Sequence, residues 1–202
     1  MTSHGITELI DAPSKVQQLD ALGDPLHAAS SAIAQPSLMG NWLRGTYMGS
    51  PMHPGVVWIP TGLALAGGLL ALRNDTQHAA RSMVRMSLLS TPLAVLTGLA
   101  EAATIRKRGR RIASVHALAN SVGSSLQVMS LVMGKDSKVS RPWLFAGLAV
   151  QSVAAMWGRH MAYNYRAELL APLEPVVDIR DDHKAGKDHE RPRDKGKVSR
   201  VF

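Results

Sequence analysis

The chain contains no cysteine. This excludes disulfides, thiolate metal sites, iron–sulfur ligation and thiol nucleophiles within it. The first 50 residues lack the basic start and apolar run of a cleavable signal peptide, so insertion is expected to rely on later segments. Nothing resembles a serine elbow, a phosphate loop or a two-histidine zinc helix, so hydrolytic and nucleophilic enzymes are not expected. Charge is missing from long stretches as well. Gly55 to Leu72 has none in 18 residues, and Ile112 to Met133 holds one ionisable side chain, His116, in 22. The remaining chemistry must come from histidine, carboxylate, arginine, asparagine or hydroxyl groups.

Apolar runs of this length match the roughly 20 residues a helix needs to cross the hydrocarbon core of a bilayer. Mean hydropathy is near zero only because two polar ends dilute the apolar middle. The pattern predicts an all-α, integral membrane four-helix bundle over 53–165, with spans at about 55–72, 82–105, 112–133 and 142–163. Residues 1–52 are expected to form a cytoplasmic segment and 166–202 a disordered, charged cytoplasmic tail. Within the first segment, Met1 to Lys15 reads as a disordered start. From Val16, the apolar residues Leu19, Leu22, Leu26, Ala29 and Ile33 recur at helical spacing, interrupted by Gly23 and Pro25. The expectation is a short, broken amphipathic helix on the membrane surface, with a helix packed on the loops as the alternative. Pro60 is expected to bend the first span and Pro92 to kink the second.

Positive charge sets the orientation. Arg106-Lys107-Arg108-Gly109-Arg110-Arg111 carries five positive charges beside the third span. The side holding this lipid-facing basic loop and both termini has 16 Lys/Arg, against 6 on the other. The prediction is a multi-pass protein of the bacterial inner membrane with both termini in the cytoplasm. The net charge of +8 is explained by these loops and by anionic lipid headgroups, so nucleic acid is not an expected partner.

Four helices alternating in direction bring the start of span one, the end of two, the start of three and the end of four to one face. His53, Glu101, His116 and His160 occupy those positions, and Asn120 lies one turn from His116. Three imidazoles and a carboxylate form a credible ligand set for a transition metal, and two imidazoles could hold a haem axially. Asn120 would orient His116, and Arg159 would either neutralise Glu101 or snorkel to the interface. Two other readings stay open: a polar network that only locks the helices together, and a proton relay through Glu101 and His116 in a small transporter.

These residues resemble the bacterial predicted membrane proteins of the DUF 2231 domain family over about 43–163. The resemblance is carried by Leu43-Arg44-Gly45-Thr46-Tyr47-Met48-Gly49, Met52-His53-Pro54, Pro60-Thr61-Gly62 and Leu96-Thr97-Gly98-Leu99-Ala100-Glu101. Arg111 with His116 and Asn120, and Gly158 with His160 and Tyr163, complete it. The resemblance implies four spans and, because some members continue into a Rieske iron–sulfur domain, electron transfer at the face where the tail emerges. Ser50 stands where the first of a histidine pair is expected, and Glu101 stands in place of an aspartate. No Rieske domain follows, so the implied electron carrier is a separate Rieske or ferredoxin-type protein. On this reading the chain is an accessory or subunit of a membrane redox system.

Overall fold

The computed structural model describes residues 3–35, 37–134 and 137–165; the predicted tail lies outside them. Every described element is helical: α1 Ser3–Asp11, α2 Asp20–Ile33, α3 Leu38–Arg44, α4 His53–Val56, α5 Trp58–Ala71, α6 Gln77–Ala102, α7 Lys107–Val132 and α8 Ser137–Asn164, with short 3₁₀ turns between the first few. The all-α expectation is met. α4, α5 and α6 form one antiparallel hairpin and α7 with α8 a second, and the two pack side by side.

Local signals explain the boundaries. The Ser37 hydroxyl accepts from the Gly40 N–H at 3.0 Å and starts α3, while Gly45, at φ +77°, ends it in the left-handed conformation that a side chain would resist. The first long helix is divided at Val57, three residues before Pro60. Proline offers no N–H to the carbonyl four residues back, so the helix is interrupted where the expected bend lies. α6, by contrast, runs unbroken in secondary structure through Pro92.

The hairpins are built on close backbone approach. A methyl group on Gly67 would sit 2.8 Å from Val84 Cγ2, and one on Gly123 would sit 2.5 Å from Gln151 Cγ. Apolar clusters close the two ends. Ala71, Ala80, Val84 and Leu144 gather at one, and Ile105, Ile112 and Met161 at the other. Among the described residues, two stretches are long and apolar enough to cross a membrane: His53–Ala71, with mean hydropathy 1.5, and Gln77–Ala102, with 1.4. α7 and α8 match the expected third and fourth spans in length but not in apolarity. α7 carries His116, Asn120, Gln127 and several serines, and α8 carries Gln151, Arg159 and His160.

The N-terminal segment departs from expectation. Residues 3–11 form α1 rather than a disordered start, because the segment is tied to the bundle at both ends of the following turns. Asp11 Oδ1 lies 3.2 Å from His160 Nε2, and Arg111 Nη1 donates to the Ser14 carbonyl at 2.9 Å. α2 is not broken at Gly23 or Pro25. It is seated on α6 and α7, with Gly23 close to Ser114 and Arg110, which is the packed alternative rather than a helix held by lipid alone.

Candidate functional site

His53 opens α4, and Pro54 after it suits the first helical turn, where no N–H is required. Its backbone N–H donates to Glu101 Oε1 at 2.7 Å, and the Glu101 carboxylate also accepts from the Met52 N–H. The last turn of α6 thereby supplies a cap for a helix start whose donors have no partner of their own. Glu101 is only 5% exposed. The His53 ring turns to the neighbouring helix, with Nδ1 2.9 Å from the Ala94 carbonyl and 3.4 Å from Thr97 Oγ1. A carbonyl only accepts, so Nδ1 carries the proton and Nε2 keeps its lone pair. The ring fits there because residue 98 is glycine: a methyl group on Gly98 would lie 2.9 Å from His53 Cε1.

The second hairpin repeats this arrangement. His116 Nδ1 lies 2.9 Å from the Ala154 carbonyl, and a methyl group on Gly158 would lie 2.9 Å from His116 Cε1. In each hairpin a histidine near the start of the outgoing helix donates to an alanine carbonyl on the returning helix and rests on the glycine four residues later. The sequence carries the signal, since 94–98 and 154–158 are both Ala-x-x-x-Gly, the spacing that lets two helices approach closely. Asn120 adds a bond of its own. Its Nδ2 donates to the His116 carbonyl at 2.9 Å and lies about equally far from the two ring nitrogens, 3.4 Å from Nδ1 and 3.3 Å from Nε2.

His160 and Arg159 do not join this layer. Two residues along a helix rotate the side chain by roughly 200°. Gly158 faces His116, so His160 looks the other way, towards Asp11, Asn164 and the edge of Tyr165. Arg159 is exposed, with its guanidinium 5.5 Å from the Tyr163 ring centre, and no bond to Glu101 is made. The expected pairing with Glu101 is not made. The predicted single pocket of His53, Glu101, His116 and His160 is therefore divided into three settings. Among the described residues no three histidine or carboxylate side chains converge as a metal-ligand set. Neither the cleft between Gln77, Arg81 and Arg141 nor that between Gly23, His27 and Arg110 is lined by His53 or His116.

The basic loop is the start of α7 rather than an irregular connection. Arg106, Lys107 and Arg108 are exposed as expected. Arg110 instead donates from Nε to the Ile105 carbonyl at 2.8 Å, and Arg111 grips Asp20 with two bonds of 2.7 and 2.8 Å. The Arg111 guanidinium bonded to Asp20 holds that carboxyl below its usual range. On the same helix as Asp20, burial pushes the His27 imidazole below its ordinary value, and Arg110 adds to the effect.

A further polar group was not singled out by sequence. Gln127, 1% exposed, donates to Gln151 Oε1 at 2.7 Å, and Gln151 donates to Ser124 at 3.3 Å, midway along α7 and α8. The flanking Gly123 and Gly147 were its visible signal, since they bring the two backbones close enough for paired amides. No family model matches the chain, and no curated protein or solved structure matches it. The functional reading stands on the geometry.

Proposed function

We propose that the chain is a four-span bacterial inner-membrane protein of the DUF 2231 kind, with both termini in the cytoplasm. On this reading its buried polar groups hold each of the two helical hairpins together, in a non-catalytic scaffold. One observation carries the proposal: Nδ1 of His53, Nδ1 of His116 and the carboxylate of Glu101 are each engaged with backbone of another helix. In hydrocarbon such bonds replace water, and they align the helices without any ligand. Membrane placement is supported by where the apolar surface lies. Only 28% of each strongly apolar window is buried inside the chain, whereas a soluble core helix would be mostly covered. Trp58, Leu69, Leu89 and Val132 are each 70% exposed or more. α7 and α8, equal in length to α6 or longer, complete the bundle, with Gln127 and Ser124 of one turned to Gln151 of the other.

A redox role is the second reading, and one feature favours it. An Nδ1–H held by a carbonyl is the arrangement that presents Nε2 as a metal ligand. That reading would add a metal or haem at His53 and His116 and a separate Rieske or ferredoxin-type carrier. The test is purification of the chain and of His116→Ala. The scaffold predicts a colourless, metal-free protein whose variant loses thermal stability. A Soret band or stoichiometric metal that disappears in the variant overturns it.

A further inference from the structure

The end of the bundle away from the N-terminal segment holds a second concentration of charge. Arg81 of α6 and Arg141 of α8 line one cleft, together with Gln77, Ser130 and Ser140. Arg81 is fixed by the end of α7. Its guanidinium donates to the carbonyls of Ser130, Leu131 and Gly134, which α7 leaves unpaired as it stops. Arg141 is less well satisfied. Its Nη2 meets the neutral Asn74 Oδ1 at 2.8 Å, while its Nε is buried without a hydrogen-bond partner. Asp75, the near carboxylate, is bound by Arg73 at 3.0 and 2.8 Å. Among the described residues neither Arg81 nor Arg141 is bonded to an acid. A buried guanidinium donor left unused is costly, and with a second guanidinium in the same cleft an anion is the acceptor that suits it.

We propose that this cleft is an anion site that takes one phosphoryl oxygen between Arg81 and Arg141, from a phospholipid headgroup or from free phosphate. The cleft is small and partly open to solvent, so a phosphoryl oxygen would enter it with the rest of the phosphate at the surface. Arg141 Nε supplies the unused hydrogen bond, and the Ser140 hydroxyl, on the first turns of α8, lies in the same wall. Apolar Val132, Val139 and Leu72 are exposed around this end, where acyl chains of a headgroup ligand would lie. The headgroup source rests on the membrane placement proposed above; the site for a phosphoryl oxygen does not.

The test uses the full chain, delipidated in zwitterionic detergent and titrated with phosphatidylglycerol, phosphatidylcholine or inorganic phosphate. Thermal unfolding and native mass spectrometry give the readout. Phosphatidylglycerol, and not phosphatidylcholine, is expected to bind and raise the unfolding temperature. Arg141→Gln should weaken binding about tenfold or more, as expected for a lost charge-assisted bond. Arg85→Gln, an exposed arginine on α6, should leave it unchanged. Stabilisation by inorganic phosphate alone, lost in Arg141→Gln, assigns the site to a free oxyanion. Equal binding of both ligands by wild type, Arg141→Gln and Arg85→Gln overturns the proposal. If Arg141→Gln does not fold, Ser140→Ala decides: weaker binding supports the site and unchanged binding overturns it. A protein released from membranes by alkaline carbonate would instead refute the placement and leave the phosphate arm readable.

Discussion

Replacing Gly98 with alanine would place a methyl group 2.9 Å from His53 Cε1, and Gly158→Ala would do the same to His116. Carbon atoms do not approach that closely, so the ring must move and its bond to Ala94 or Ala154 must lengthen. Overpacking of this kind costs about 1–3 kcal/mol. Loss of the histidine hydrogen bond adds about 1 kcal/mol, and the better helix propensity of alanine returns up to about 1 kcal/mol. The net expectation is a loss of about 1–4 kcal/mol from either substitution, or roughly 2–16 °C in unfolding temperature for a chain of this size. Gly62 is the control, because a methyl group there meets nothing within 4 Å. Gly62→Ala should be neutral or stabilise by up to about 1 kcal/mol. Thermal unfolding in detergent, followed by circular dichroism, reads all three. The reasoning fails if Gly98→Ala and Gly158→Ala melt like wild type, or if only one of them moves.

Other outcomes follow from the same contacts. Glu101→Ala strands the N–H groups of Met52 and His53 at the start of α4 and should cost about 1–3 kcal/mol, again read as a lower melting temperature. Arg159→Gln should change stability by less than about 0.5 kcal/mol, because the side chain is exposed and its guanidinium lies over the Tyr163 ring. Asp20→Asn should free Arg111 and expose α1 and α2 to limited proteolysis while α5 to α8 stay protected. Acid should act alike. The Asp20 carboxyl is held low in the folded chain, so its contribution is present above the ordinary carboxylate range and lost as pH falls through the folded value. The His27 imidazole is also held low, so protonation is disfavoured in the docked state and docking of α2 should weaken as pH falls below 6.5. Hydrogen exchange across pH 8 to 5 measures this, and His27→Gln should remove the part that sets in between pH 6.5 and 5.

Helix positions were legible because long apolar periods and prolines act locally. The interruption at Val57 lies where Pro60 demands it, and α5 to α8 fall close to the predicted spans. What the sequence did not specify was direction around each helix. His160 and Gly158 both lie near the end of α8, yet the half-turn between them sends one to the N-terminal segment and the other to His116. The same holds for Arg110 and Arg111, which read as loop charge but are turned inward by Ile105 and Asp20. The N-terminal helix α1 has few apolar residues to predict it. It depends on contacts 149 and 97 residues away in the chain, from Asp11 to His160 and from Ser14 to Arg111. Gly98 and Gly158 looked like interchangeable small residues until the imidazoles were seen resting on them.

The proposed four-span bundle requires α7 and α8 to cross the membrane together with α5 and α6, and the absence of cysteine makes this directly measurable. Single cysteines at Asn74, Lys138 and Arg108 would each be the only thiol in the chain. With a membrane-impermeant maleimide on intact cells, Asn74→Cys and Lys138→Cys should label at once, and Arg108→Cys only after the membrane is opened. Labelling of Lys138→Cys only after opening, together with Arg108→Cys, would contradict the four-span bundle.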